Sequence, residues 1–69
     1  MAFKRLSVER ALASPERITF SLSDPDCRLF YGLAEPDGLM VTVVVNVTEG
    51  YVKTAYRSRQ AKGVVEWER

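Results

Sequence analysis

Leu39-Met-Val-Thr-Val-Val-Val-Asn-Val-Thr48, then Glu49-Gly50, then Tyr51-Val-Lys-Thr-Ala-Tyr-Arg-Ser58 is the stretch that decides the fold. The first run has valine at 41, 43, 44, 45 and 47, and β-branched side chains suit a pleated, half-buried surface. Glu49-Gly50 reads as a tight hairpin turn, with Tyr51 to Ser58 as the returning strand. A two-residue loop sets Val47 opposite Val52, Val45 opposite Thr54 and Val43 opposite Tyr56. Val43, Val45, Val47, Val52 and Tyr56 are expected to form the core beneath a helix. The other face then carries Thr42, Asn46, Tyr51, Lys53 and Arg57.

Upstream, Glu35-Pro36-Asp37-Gly38 is turn chemistry: Pro is preset for a corner and Gly is free to take positive φ. A four-residue loop there pairs Ala34 with Leu39 and Tyr31 with Thr42, which brings in a strand from Cys27 to Ala34 with Tyr31 on the polar face. Ser23-Asp24-Pro25-Asp26 is a second turn. Before it, Arg17 to Ser21 alternates with the period of a strand, Ile18, Phe20 and Leu22 against Thr19, Ser21 and Ser23. Phe3 to Ala13 reads as a helix. Val8, Ala11 and Leu12 share one face, continued by Leu6 and Phe3, and Pro15 sets the boundary at Ser14. Glu66-Trp67-Glu68 suggests a last strand with the tryptophan inward and the acids outward. The reading is α+β: one small domain over residues 1–69, a short N-terminal helix packed on a roughly four-stranded antiparallel sheet.

Composition bounds the function. Sixty-nine residues, 46% of them hydrophobic, allow one thin core, so a homo-oligomer or a bound partner is expected to add stability. There is one cysteine and no histidine, which leaves no intramolecular disulfide and makes a protein-built metal site unexpected. No apolar run reaches membrane-spanning length and no secretory core precedes Lys4 and Arg5, so the expectation is a cytoplasmic chain without a membrane partner. With neither a phosphate-cradling glycine loop nor a nucleophile elbow, no cofactor is expected.

Net charge is only +1, but its distribution is uneven. Lys53, Arg57, Arg59 and Lys62 fall in an interval without a single acid, while Asp24, Asp26, Glu35 and Asp37 gather around Pro25 and Pro36. Lys53 and Arg57 with Tyr31 on one sheet face could hold a phosphodiester, the cations on phosphate and the phenol stacking on a base or donating a proton. A solvated sheet face, or a strand edge guarded by Lys and Arg, accounts for the same residues. Asp24 and Asp26 are explained by the turn around Pro25, and Cys27, lacking a histidine, reads as a small buried residue.

The C-terminal segment Thr54-Ala55-Tyr56, Ser58, Arg59, Lys62-Gly63 and Trp67 resembles the last strands of small phage-associated nuclease-like domains, those grouped with barnase, EndoU, colicin and RelE toxins. Ser14-Pro15-Glu16-Arg17-Ile18, Arg28-Leu29-Phe30-Tyr31 and the valine-rich strand also fit, so the likeness spans most of the chain. It implies a helix or two before a four-stranded antiparallel sheet, and metal-independent RNA cleavage on the sheet's open face. Members usually carry a histidine on a further N-terminal helical segment, and this chain has none. A histidine-free mechanism would rest on Lys53, or on a tyrosine working with Arg57. The resulting expectation is an RNA-binding, nuclease-like domain: Tyr31, Lys53 and Arg57 at its centre, with Ser58, Arg59 and Lys62 as further binding residues. The alternative is a non-catalytic interaction or oligomerisation protein that assembles through an exposed edge strand.

Overall fold

A computed structural model describes residues 5–59 and 63–69. Helix α1 (Arg5–Ala13) is followed by strands β1 (Arg17–Phe20), β2 (Cys27–Tyr31), β3 (Met40–Asn46), β4 (Tyr51–Ser58) and β5 (Val65–Glu68). All the pairings are antiparallel, in the order β4-β3-β2-β1-β5. The α+β reading holds, with five strands rather than four, because Val65–Glu68 pairs with the outer side of β1. Among the described residues, no helix is long and apolar enough to cross a membrane.

The helix ends where Pro15 requires. Ser14 N–H still donates to Arg10 O at 2.8 Å, and the chain then turns into β1. Ala11 and Val43 are fully buried and Val41 nearly so, and Val8, Leu12, Phe30, Val45 and Ala55 pack around them. This is the helix–sheet core, built on the helical face expected from Val8, Ala11 and Leu12. Phe3 and the Leu6 side chain lie outside the described residues.

The β2–β3 register is the one the Pro36 turn implies, with Tyr31 opposite Thr42. The β3–β4 hairpin differs from expectation. Its turn has four residues, Val47 to Gly50, with Asn46 opposite Tyr51. Asn46 accounts for this: its carbonyl takes the Gly50 N–H at 2.7 Å and its side-chain oxygen takes the Glu49 N–H at 2.8 Å. Asp26 pulls on the same turn, accepting from Val47 N–H at 2.9 Å and from the Thr48 hydroxyl at 3.1 Å.

A β-bulge then follows. Val52 faces Val45 and Thr54 faces Val44, so Lys53 is the extra residue. Continued without a bulge from Asn46 and Tyr51, the strand would set Thr54 against Val43 and Tyr56 against Val41, beneath the helix. The bulge puts small Ala55 opposite Val43 instead and turns Thr54, Tyr56 and Ser58 to the opposite face. The expected core is therefore corrected. Val43 and Val45 face the helix, but Val47 lies in the turn at 46% exposure, Val52 is equally exposed, and Tyr56 is 41% exposed on the far side. Trp67 is not inward either; it sits half-exposed on the edge strand.

The face away from α1 is not flat. Cys27, Tyr31, Thr19 and Thr42 on it are all at most 1% exposed, although no described helix packs there. The sheet curls around them: Lys53 Nζ on β4 reaches to 3.7 Å from Asp24 Oδ2 in the β1–β2 loop, across β3 and β2. Thr19 Oγ1, buried between Leu29 and Val65, has no hydrogen-bond partner among the described residues. An unmade buried bond costs about 1–3 kcal/mol. Thr19→Val keeps the shape and removes the orphan oxygen, so it should raise stability by about 1 kcal/mol in urea denaturation. A loss of stability would mean that the hydroxyl is satisfied.

Candidate functional site

The concave face gathers a set of hydroxyl groups. Partners across neighbouring strands share a face, so the register places Tyr31, Thr42 and Tyr56 in one row, Met40 and Ser58 in the next, and Leu29, Val44 and Thr54 on the other side. Ser58 Oγ lies 2.7 Å from Thr42 Oγ1. A cavity of about 340 Å³ opens between β4 and the β1–β2 loop, lined by Leu22, Asp24, Cys27, Lys53, Thr54 and Tyr56 among others.

The loop side of this cavity is built by Asp24. Its carboxylate accepts from Asp26 N–H at 3.0 Å and from the Cys27 thiol at 3.4 Å, and it faces Lys53. The bond from the Asp26 amide, then that from Cys27, and more weakly the Lys53 ammonium, hold the Asp24 carboxyl below the usual carboxylate range. Burial, then the adjoining Asp24 carboxylate, push the Cys27 thiol up. Cys27 is thus a protonated, buried side chain at neutral pH, placed to donate to Asp24 rather than to attack a substrate.

Tyr56 is an exposed aromatic of the face, as is Tyr51 opposite Asn46. Burial, and next the neighbouring Tyr31, raise the Tyr56 phenol above the ordinary tyrosine value. At neutral pH its phenol therefore keeps its proton, and the side chain is partly open to solvent. Tyr31, by contrast, is 1% exposed, so its ring is not a platform on which a base could stack.

The residues expected to act together are thus separated. Tyr31, Lys53 and Ser58 share the concave face. Arg57 stands opposite Val41, on the helix side, because the bulge at Lys53 reverses the alternation beyond it. That placement sets Arg57 on the other side of β4 from Tyr56. Arg59 follows β4 and donates to Asp37 O at 3.3 Å, which ties it to the β2–β3 loop. Lys62 lies outside the described residues. Thr54, Tyr56, Thr42 and Asp24 were not among the expected site residues. The Thr-x-Tyr-x-Ser alternation at 54, 56 and 58 was the available signal for the first two.

No group of three His, Cys, Asp or Glu side chains suited to a metal ion occurs among the described residues. No family model, no curated protein and no solved structure matches the chain.

Proposed function

We propose that this chain is an RNA-binding domain of nuclease-like type, with the concave sheet face as its working surface. The observation that carries the reading is the common projection of Thr54, Tyr56 and Ser58 beside Thr42, Tyr31 and Lys53. Those three β4 residues are also the core of the resemblance to phage-associated toxin-type nuclease domains.

Each group has a distinct task in this reading. Lys53, at the mouth of the cavity, meets a phosphate by exchanging its Asp24 contact for the phosphodiester. The protonated Tyr56 stacks its ring on an unpaired base or gives its proton to a leaving oxygen. Ser58, Thr42 and Thr54 offer hydroxyls to the 2′-hydroxyl and to phosphate oxygens. Tyr31 sits behind them as buried support.

Incubation of the pure protein with single-stranded and structured RNA in chelator tests the proposal. Binding is expected at low salt, and any cleavage should continue in chelator. Lys53 contributes one phosphate contact, so Lys53→Ala should lessen the log–log salt slope by about 0.7 for single strands. Absence of binding at low salt, or an unchanged slope in Lys53→Ala, would remove the concave face as an RNA surface.

A further inference from the structure

The two edges of the sheet differ in how they are guarded. The β4 edge carries Lys53 in a bulge, Arg57, and Arg59 just beyond, the devices that stop a strand from pairing with a copy of itself. The β5 edge has neither cations nor proline in its strand. Its four residues read Val65-Glu66-Trp67-Glu68, Val65 and Trp67 are each 45% exposed, and no described strand pairs with its outer side.

The two acids of β5 would ordinarily repel a second copy, but both are occupied within the chain. Arg28 Nε meets Glu66 Oε2 at 3.2 Å, and the Arg17 guanidinium pairs with Glu68. Arg28 is itself fixed, with its Nη1 donating to Pro25 O and Cys27 O at 2.9 Å each and its guanidinium 4.3 Å above the Phe20 ring. The edge is charged in sequence and close to neutral in the fold.

The backbone completes the argument. Val64 O accepts from Phe20 N–H, and Arg69 N–H donates to Glu16 O, both at 2.9 Å, so residues 64 and 69 turn their polar groups toward β1 and its lead-in. By the alternation of an antiparallel ladder, their neighbours Val65 and Glu68 turn theirs outward. A two-fold axis between Glu66 and Trp67 sets Val65 opposite Glu68 of a second copy, and Glu68 opposite its Val65. The register shift at Ile18/Thr19 leaves two residues between these outward pairs. Both strands of a two-fold pair carry that same spacing, so the two ladders match. In this arrangement each Trp67 falls beside Glu66 of the other copy, next to a groove of about 580 Å³ lined by Ala13, Pro15, Ile18 and Trp67.

We infer that the β5 edge pairs with β5 of a second copy to form a closed, two-fold dimer with a sheet continuous across both chains. One short strand and one tryptophan per copy make a contact at the small end of specific interfaces, so the dimer is reversible in the micromolar range.

Sedimentation from low to high micromolar concentration, followed in parallel by emission of Trp67, the sole tryptophan, tests this. The weight-average mass should rise to twice the chain mass and stop there, with the emission shifting to the blue. Val65→Pro removes an outward N–H at the first residue of an edge strand, where proline is tolerated, and should hold the protein monomeric. Trp67→Lys leaves the backbone unaltered and should do the same, with near-ultraviolet tyrosine dichroism showing that each variant is folded. Val52→Lys, on the other edge, should leave dimerisation unchanged. A monomer throughout, growth without limit, or association lost in Val52→Lys but kept in Val65→Pro would each overturn the inference. RNA binding by the concave face is measured separately and stands or falls on Lys53.

Discussion

Gly63→Ala is expected to cost roughly 2–4 kcal/mol, a large part of the roughly 4–10 kcal/mol available to a domain of this size. Two effects combine. Gly63 has φ +97°, a conformation that costs an L-residue about 1–2 kcal/mol. A Cβ there would also stand 2.8 Å from Phe20 O, which is backbone and cannot rotate aside. Phe20 N–H is bonded to Val64 O, so the collision falls on the first rung that holds β5 to β1. Gly50→Ala is the internal control. Its φ of +79° carries the same conformational penalty, but a Cβ there meets nothing within 4 Å. It should therefore lose only about 1–2 kcal/mol. Urea unfolding of both variants reads the difference, and equal midpoints would show that the Phe20 contact does not matter.

Tyr56→Ala is expected to weaken single-stranded RNA binding by roughly 5- to 150-fold, the range that base–aromatic stacking of about 1–3 kcal/mol implies. Arg57→Ala should alter affinity by no more than about twofold, because its position opposite Val41 is on the helix side of the sheet and the screening length at physiological salt is about 8 Å. The contrast tests the bulge directly, since regular alternation from Lys53 would give Arg57 the larger effect. Tyr56→Phe separates the two duties of the phenol: stacking should survive it, and any cleavage that uses its proton should not. A stronger effect from Arg57→Ala than from Tyr56→Ala would mean that the helix side of β4 is the RNA surface.

Most of the fold was legible because its signals are local. Pro15 ends the helix, Pro36 and Gly38 fix the β2–β3 loop, and Val8, Ala11 and Leu12 repeat at helical spacing. The hairpin was misread because two non-local effects act there. Asn46 and Asp26 together enlarge the turn, and Asp26 belongs to a different loop. The bulge at Lys53 depends on what fits beneath α1, where Ala55 packs against the core. No period-two pattern announces an extra residue, so every side chain after it changes face unseen. Arg57 was lost from the candidate site and Thr54 and Tyr56 gained for that one reason. The half-exposed Trp67 was misjudged for another: hydropathy cannot tell a last strand at an edge from one covered on both sides.

The pairing of β1 with β5 joins residues far apart in sequence, Arg17 to Glu68, and Arg69 bonds back to Glu16. During synthesis the helix and the first four strands can therefore assemble while the outer side of β1 still has no neighbour. Thr19 and Phe20 then wait in an open ladder until residues 65–69 clear the ribosome, and among the described strand pairings this closure spans the longest loop. Ribosome-bound chains ending before Val65 should accordingly hold a protease-sensitive β1. Its protection would arrive in a single step, when residues 65–69 emerge.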